Sequence, residues 1–171
     1  MDIMKNSAPD TAPGVPSPKD LEMIQKYARV QLTAQDVYVF QTVLCDNEID
    51  RDGERFDAAA LEKLAELFLG KTGLFDHSGK SGDQVMRAFD TGLTHNPERI
   101  TGAAEPYAAL TAKVYILRGE ETAALIREID GGIKKEVSVS CAVKRVVCSV
   151  CGNAISRCGH RKGELYDGKL C

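Results

Sequence analysis

Residues 36–45 read DVYVFQTVLC and residues 107–117 read YAALTAKVYIL. Both runs are rich in β-branched and aromatic side chains, the composition of a strand rather than a helix. A third such run, QVMRAFD, covers residues 84–90. Between residues 90 and 107 the sequence predicts a loop that holds His95, Asn96, Pro97 and Gly102. Residues 134–147, KKEVSVSCAVKRVV, alternate in the manner of one more long strand.

Helical segments interrupt these runs. Leu21, Ile24 and Ala28 predict a short helix from about Asp20 to Arg29. Asp57 is placed to cap a helix that runs to about Leu69, with Leu61, Leu64 and Phe68 on one face and Gly70 at its end. Glu120 to Ile129 carries Ala124, Leu125 and Ile129 at helical spacing and stops at Gly131-Gly132. Five or so strands with two or three helices predict an α+β fold, centred on a mostly antiparallel sheet or barrel.

The chain has 171 residues, enough for one ordinary domain with appendages. Three regions follow from its composition. Residues 1–19 hold four of the six prolines among Ala, Ser and Asp, so they are expected to form a disordered arm. Residues 20–147 form the folded domain, and residues 148–171 a separate tail. The first 20 residues lack the basic and apolar regions of a secretion signal, which predicts a cytoplasmic protein. No apolar run is long enough to span a membrane. A net charge of −3 with interspersed signs, no Trp and 6% aromatic residues speak against nucleic-acid binding.

The tail contains the densest chemistry. Four of the six cysteines, Cys148, Cys151, Cys158 and Cys171, fall within the last 24 positions. Cys148-x-x-Cys151 sets two thiolates on one tight knuckle, and Cys158-Gly159-His160 supplies a second pair after a six-residue loop. Two close pairs of sulfur and nitrogen donors suit the closed tetrahedron of one structural Zn2+. Cys171 is an alternative fourth ligand to His160. A redox dithiol is disfavoured, because CSVCGN leads into a polar turn rather than a helix. The tail has few apolar side chains, so its order should depend on the metal. Four protein ligands also leave no open position for catalysis.

Other strings imitate known sites. Gly70-Lys71-Thr72 and Gly79-Lys80-Ser81 lack the Gly five residues earlier that a phosphate loop requires, where Ala65 and Leu74 stand. Glu48-x-Asp50-x-Asp52-Gly53 opens like a calcium loop, but Ala59 occupies the position of the bidentate Glu. It reads as an acidic turn. His95 is expected to be exposed and inert.

The order strand, Asp50-Arg51-Asp52-Gly53, helix, Phe75-Asp76-His77, two strands, helix with Gly131-Gly132, then Val137-Ser138-Val139-x-Cys141 resembles the phage prohead maturation proteases. That family is related to the herpesvirus capsid assembly proteases. The resemblance covers roughly residues 36–147, and the knuckle with His160-Arg161-Lys162-Gly163 and Tyr166-Asp167-Gly168 looks like a branch from tailed-phage genomes. It implies a serine endopeptidase that trims the major capsid protein and scaffold precursors inside the immature head, in the cytoplasm of a bacterial host.

His77 matches the family histidine and Ser138 the nucleophile; the Gly usual two residues later is here Ser140. His77 would act as general base toward Ser138. The third member is open between His160, assigned here to zinc, and the later acids Glu164 and Asp167. The resemblance also implies a further strand beyond the knuckle, so that a chain ending at Cys171 is expected to be a truncated or processed form. Homo-oligomerisation is left open. The alternative reading is a non-catalytic zinc-stabilised module of capsid assembly.

Overall fold

The structure, a computed structural model, describes residues 14–171. Of the segment expected as a disordered arm, residues 1–13 lie outside the described residues. Residues 14–19 are placed: Gly14 exchanges backbone hydrogen bonds with Val39, and Ser17 caps a helix.

That helix, α1, is Pro18–Gln25 and starts two residues earlier than the apolar spacing predicts. Pro18 needs no hydrogen-bonded amide in the first turn. The Ser17 hydroxyl accepts from Asp20 N, while Asp20 accepts in return from Ser17 N, the reciprocal arrangement of a capping box. Helix α1 ends at Gln25, and the Gln25 side chain holds the following turn through Val30 O and Leu32 N.

Four strands build one antiparallel sheet: β1 (Val37–Asp46), β2 (Thr72–Leu74), β3 (Gln84–Ile100) and β4 (Pro106–Leu117), in the order β1-β4-β3-β2. The sheet is open, with β1 and β2 at its edges, so the sheet alternative holds and the barrel does not. Strand β3 runs ten residues past the stretch 84–90 expected for it. The predicted loop around His95 and Asn96 is therefore strand, with His95 opposite Ala108 and Asn96 opposite Tyr107. Pro97 is tolerated because the register shifts between Asn96 and Ile100, where its missing N–H interrupts no rung of the ladder.

Alternation along β4 divides the core between two faces. Ala108, Leu110, Val114 and Ile116 point to one side and Tyr107, Ala109 and Tyr115 to the other, and all are buried. On the first face lie α2 (Ala58–Phe68) and α3 (Glu120–Asp130). Leu61 and Leu64 of α2 pack on Ala108 and Leu110, and Leu125 and Ile126 of α3 pack on Tyr38 and Ile116. On the opposite face Ile24 of α1 joins Val37, Val39, Phe89 and Tyr115. Asp57 caps α2 by accepting from Ala60 N, as its position in the sequence predicts. Gly70, in the left-handed region at φ 76, follows the helix and donates to Ala88 O, which ties the turn back to β3.

Residues 134–147 are the main departure. Alternation predicts a strand there, yet residues 135–145 make no backbone hydrogen bond among the described residues. Only Val147 forms a bridge, with Ala154. Alternating sequence supplies side chains for a sheet face, but a strand also needs an adjacent edge for its N–H and C=O groups. The segment is mostly exposed, Val137, Val143 and Val146 included. The tail ends in a small hairpin of β5 (Leu165–Tyr166) and β6 (Lys169–Leu170).

Candidate metal centre and candidate catalytic residues

The first knuckle is a tight turn closed by Cys148 N to Asn153 O and by Gly152 N to Cys148 O, each at 2.9 Å. Gly152 sits at φ 70, a conformation that costs glycine nothing. The turn aims amides at sulfur. The N–H groups of Cys151 and Val150 bond the Cys148 thiolate and pull its pKa down to about 5, while burial works the other way. Cys151 is lowered as well, chiefly by the Asn153 amide. The second pair follows a short 3₁₀ turn, Ile155–Arg157, and His160 N donates to Cys158 Sγ at 3.3 Å.

These two turns bring the four donors of Cys148, Cys151, Cys158 and His160 within 4.8 Å of one another. Cys148 Sγ lies 3.5 Å from His160 Nδ1, Cys158 Sγ lies 3.4 Å from the same nitrogen, and Cys151 Sγ lies 3.6 Å from Cys158 Sγ. Bond lengths of about 2.3 Å to sulfur and about 2.0 Å to nitrogen place the corners of a tetrahedral zinc site roughly 3.5–3.8 Å apart. Those three separations are close to that size within a set spanning up to 4.8 Å, and all six cysteines are free thiols rather than disulfides. The residues fit a metal ion. Without the ion, burial and the sulfurs of Cys148 and Cys151 push the Cys158 thiol up to about 11, and the same two cysteines raise His160. Three sulfurs and a nitrogen in this space favour a cation that replaces their protons.

Several supports were invisible to spacing. The Tyr166 ring stands 4.3 Å from the His160 ring, and its hydroxyl bridges Arg161 N and Glu164. Lys162 reaches across to Glu54 at 2.6 Å, which fastens the knuckle to the turn after β1. In that turn Asp50 accepts from the amides of Asp52 and Glu54, so the calcium-like string is a self-bonded acidic turn. Cys171 is a fourth sulfur and a fifth donor, 3.4 Å from Cys148 and outside the group of four. The linear order offers it as an alternative fourth ligand, and the hairpin fold sets its position beside Cys148.

His77 is exposed, in a short 3₁₀ turn from Phe75 to His77 that follows β2. Asp76 and His77 both hold left-handed backbone, at φ 51 and φ 53. Non-glycine residues rarely adopt that region singly, and two in succession mark a strained turn. Ser138 is exposed on the unpaired segment rather than on a strand, as is Ser140. No hydrogen bond joins His77 to Ser138 among the described residues. One contact relates their neighbourhoods: the Lys134 ammonium lies 5.1 Å from the centre of the Phe75 ring. Glu164 is engaged by Tyr166 and by Arg161, within the knuckle rather than beside His77.

No family model matches the chain, and neither a curated protein nor a solved structure matches it. No helix among the described residues is long and apolar enough to cross a membrane.

Proposed function

We propose that the chain is a serine endopeptidase of the capsid-maturation type, with its C-terminal tail clipped by one structural Zn2+. Ser138 would be the nucleophile and His77 its general base. The strained Asp76–His77 backbone is the observation that carries the reading. Strain of this kind concentrates at functional sites, and here it falls on the histidine that the prohead-protease resemblance singles out. The Lys134–Phe75 contact supports it further, since it brings the start of the Ser138 segment alongside that turn.

The chemistry would run through an acyl-enzyme. His77 takes the Ser138 proton as the oxygen attacks the scissile carbonyl, and then returns it to the leaving amine. The two groups would close to hydrogen-bond distance, about 3 Å, when a capsid or scaffold precursor orders the exposed segment. Zinc takes no part in these steps. It would anchor the end of the segment that carries Ser138, through Cys148.

Co-expression with a capsid precursor tests the reading. Ser138→Ala and His77→Ala should abolish processing, whereas Ser140→Ala should leave it. Processing by Ser138→Ala equal to that of the parent would overturn the assignment.

One observation favours a second reading, a zinc-stabilised assembly module without catalysis. Residues 135–145 offer backbone unpaired among the described residues and exposed valines, the raw material for pairing with a strand of a partner. In that case neither His77 nor Ser138 matters for head assembly, whereas Cys151→Ser abolishes it.

A further inference from the structure

The hairpin that closes the tail delivers a fifth donor, the sulfur of Cys171, to a site for four. Its turn, Asp167-Gly168, is left-handed at both residues, at φ 49 and φ 80, which reverses the chain within two residues. Cys171 is then fixed by its N–H to Glu164 O at 2.9 Å and by its carbonyl, which accepts from Gly163 N at 2.7 Å. Ser149 Oγ donates to Leu170 O at 2.7 Å and ties the hairpin to the first knuckle. The result is a Cys171 Sγ held 3.4 Å from Cys148 Sγ.

A tetrahedral ion held by Cys148, Cys151, Cys158 and His160 has no place for a fifth ligand. On the zinc reading Cys171 would stay a thiol outside the coordination sphere, in contact with a ligand thiolate. The two differ in access, since Cys148 is 3% exposed and Cys171 is half-buried. Of these two, Cys171 is the one open to an oxidant. We propose that Cys171 is a redox modification site, where a hydroperoxide drives formation of a Cys148–Cys171 disulfide and so releases the metal. The proposal rests on the zinc reading of the four-donor cluster.

The chemistry balances in two steps. Cys171 sulfur attacks the O–O bond of hydrogen peroxide, becomes a sulfenic acid and releases water as its own proton is taken up by the leaving oxygen. Cys148 sulfur then attacks the Cys171 sulfur; the S–S bond forms, the S–O bond breaks, and hydroxide leaves as water with a proton from solvent. Two thiol groups are oxidised by two electrons in all, and one peroxide is reduced to two waters. The sulfurs need approach by only about 1.4 Å to reach the roughly 2.05 Å of a disulfide. Zn2+ loses Cys148, the most buried of its ligands, and keeps only three donors.

The test uses the zinc-loaded full chain, hydrogen peroxide and a chromophoric zinc chelator, with disulfides mapped by mass spectrometry after thiol blocking. Zinc release is expected to keep pace with a Cys148–Cys171 linkage, and a thiol reductant should restore zinc binding. Cys171→Ser should still bind one zinc but release it several-fold more slowly. Release at the parental rate from Cys171→Ser, or a Cys151–Cys158 linkage in its place, would overturn the proposal. So would loss of zinc binding by Cys171→Ser under reducing conditions, because Cys171 would then be a ligand. A reduced parental chain that binds no zinc at all would remove the underlying reading as well, an outcome distinct from the other three.

Discussion

Lys162 Nζ stands 2.6 Å from Glu54 Oε1, and the Lys162 stem packs over Gly53 closely enough that a Cβ there would meet its Cγ at 3.1 Å. The knuckle is thereby pinned to the acidic turn that follows β1, more than a hundred residues away in sequence. Asp52 and Asp50 add to the field that raises the Lys162 pKa, after the Glu54 hydrogen bond as the main cause. Both partners are about half exposed, so the pin positions the tail without stabilising the domain appreciably. Glu54→Gln should leave the thermal midpoint unchanged while amides of residues 147–171 exchange faster. A fall in midpoint with no change in exchange would show that the pin has a different role.

Metal removal should act locally. Chelation of the reduced protein is expected to abolish the dispersed NMR resonances of residues 147–171 and to leave those of the four-stranded sheet in place. The Tyr166 ring, tilted against the His160 ring, should report the change as an altered environment. Metal analysis should find one zinc per chain, and Cys151→Ser should reproduce the chelated state. A stoichiometry of zero in reduced protein would refute the site.

The core should respond to truncation in the usual way. Leu110 is fully buried on β4 beneath Leu61 and Leu64. Leu110→Ala should cost about 2–5 kcal/mol, by lost transfer energy and the cavity left behind. Denaturant titration measures this, and a loss well under 1 kcal/mol would mean that the α2–sheet contact is not tightly packed.

Acid should weaken the α1 docking. Burial alone would raise the Asp20 pKa, but hydrogen bonds from Ser17 and the Lys113 ammonium at 3.0 Å outweigh it and hold the carboxyl below its ordinary value of 3.8. A depressed folded-state pKa contributes stability that is present above the unfolded value and lost as pH falls through the folded one. Stability should therefore decline below about pH 4, and Asp20→Asn should flatten that acid limb. Ser17→Ala, which removes the cap, should cost about 1 kcal/mol at neutral pH. An unchanged acid limb in Asp20→Asn would assign the decline to other carboxyls.

Much of the frame was readable in the linear order. The strands at Val37 and Tyr107, the helix capped by Asp57, the helix from Glu120 and the paired donors of the candidate metal site all rest on local patterning within a few residues. The errors cluster where pairing is non-local. Residues 91–100 carry Gly92 and Pro97 and read as a loop, yet β4 lies beside them and draws them into β3. Residues 134–147 read as a strand, yet among the described residues no edge meets residues 135–145.

By itself, then, the sequence determined which segments prefer to be strand or helix and which side chains can bind a soft metal, because both follow from residue type and short-range spacing. The tertiary structure alone decided which strand candidates find a partner, that the knuckle leans on Glu54, and that Cys171 comes within reach of Cys148. Backbone hydrogen bonds between strands and contacts between side chains far apart in the chain exist only once the chain has closed on itself.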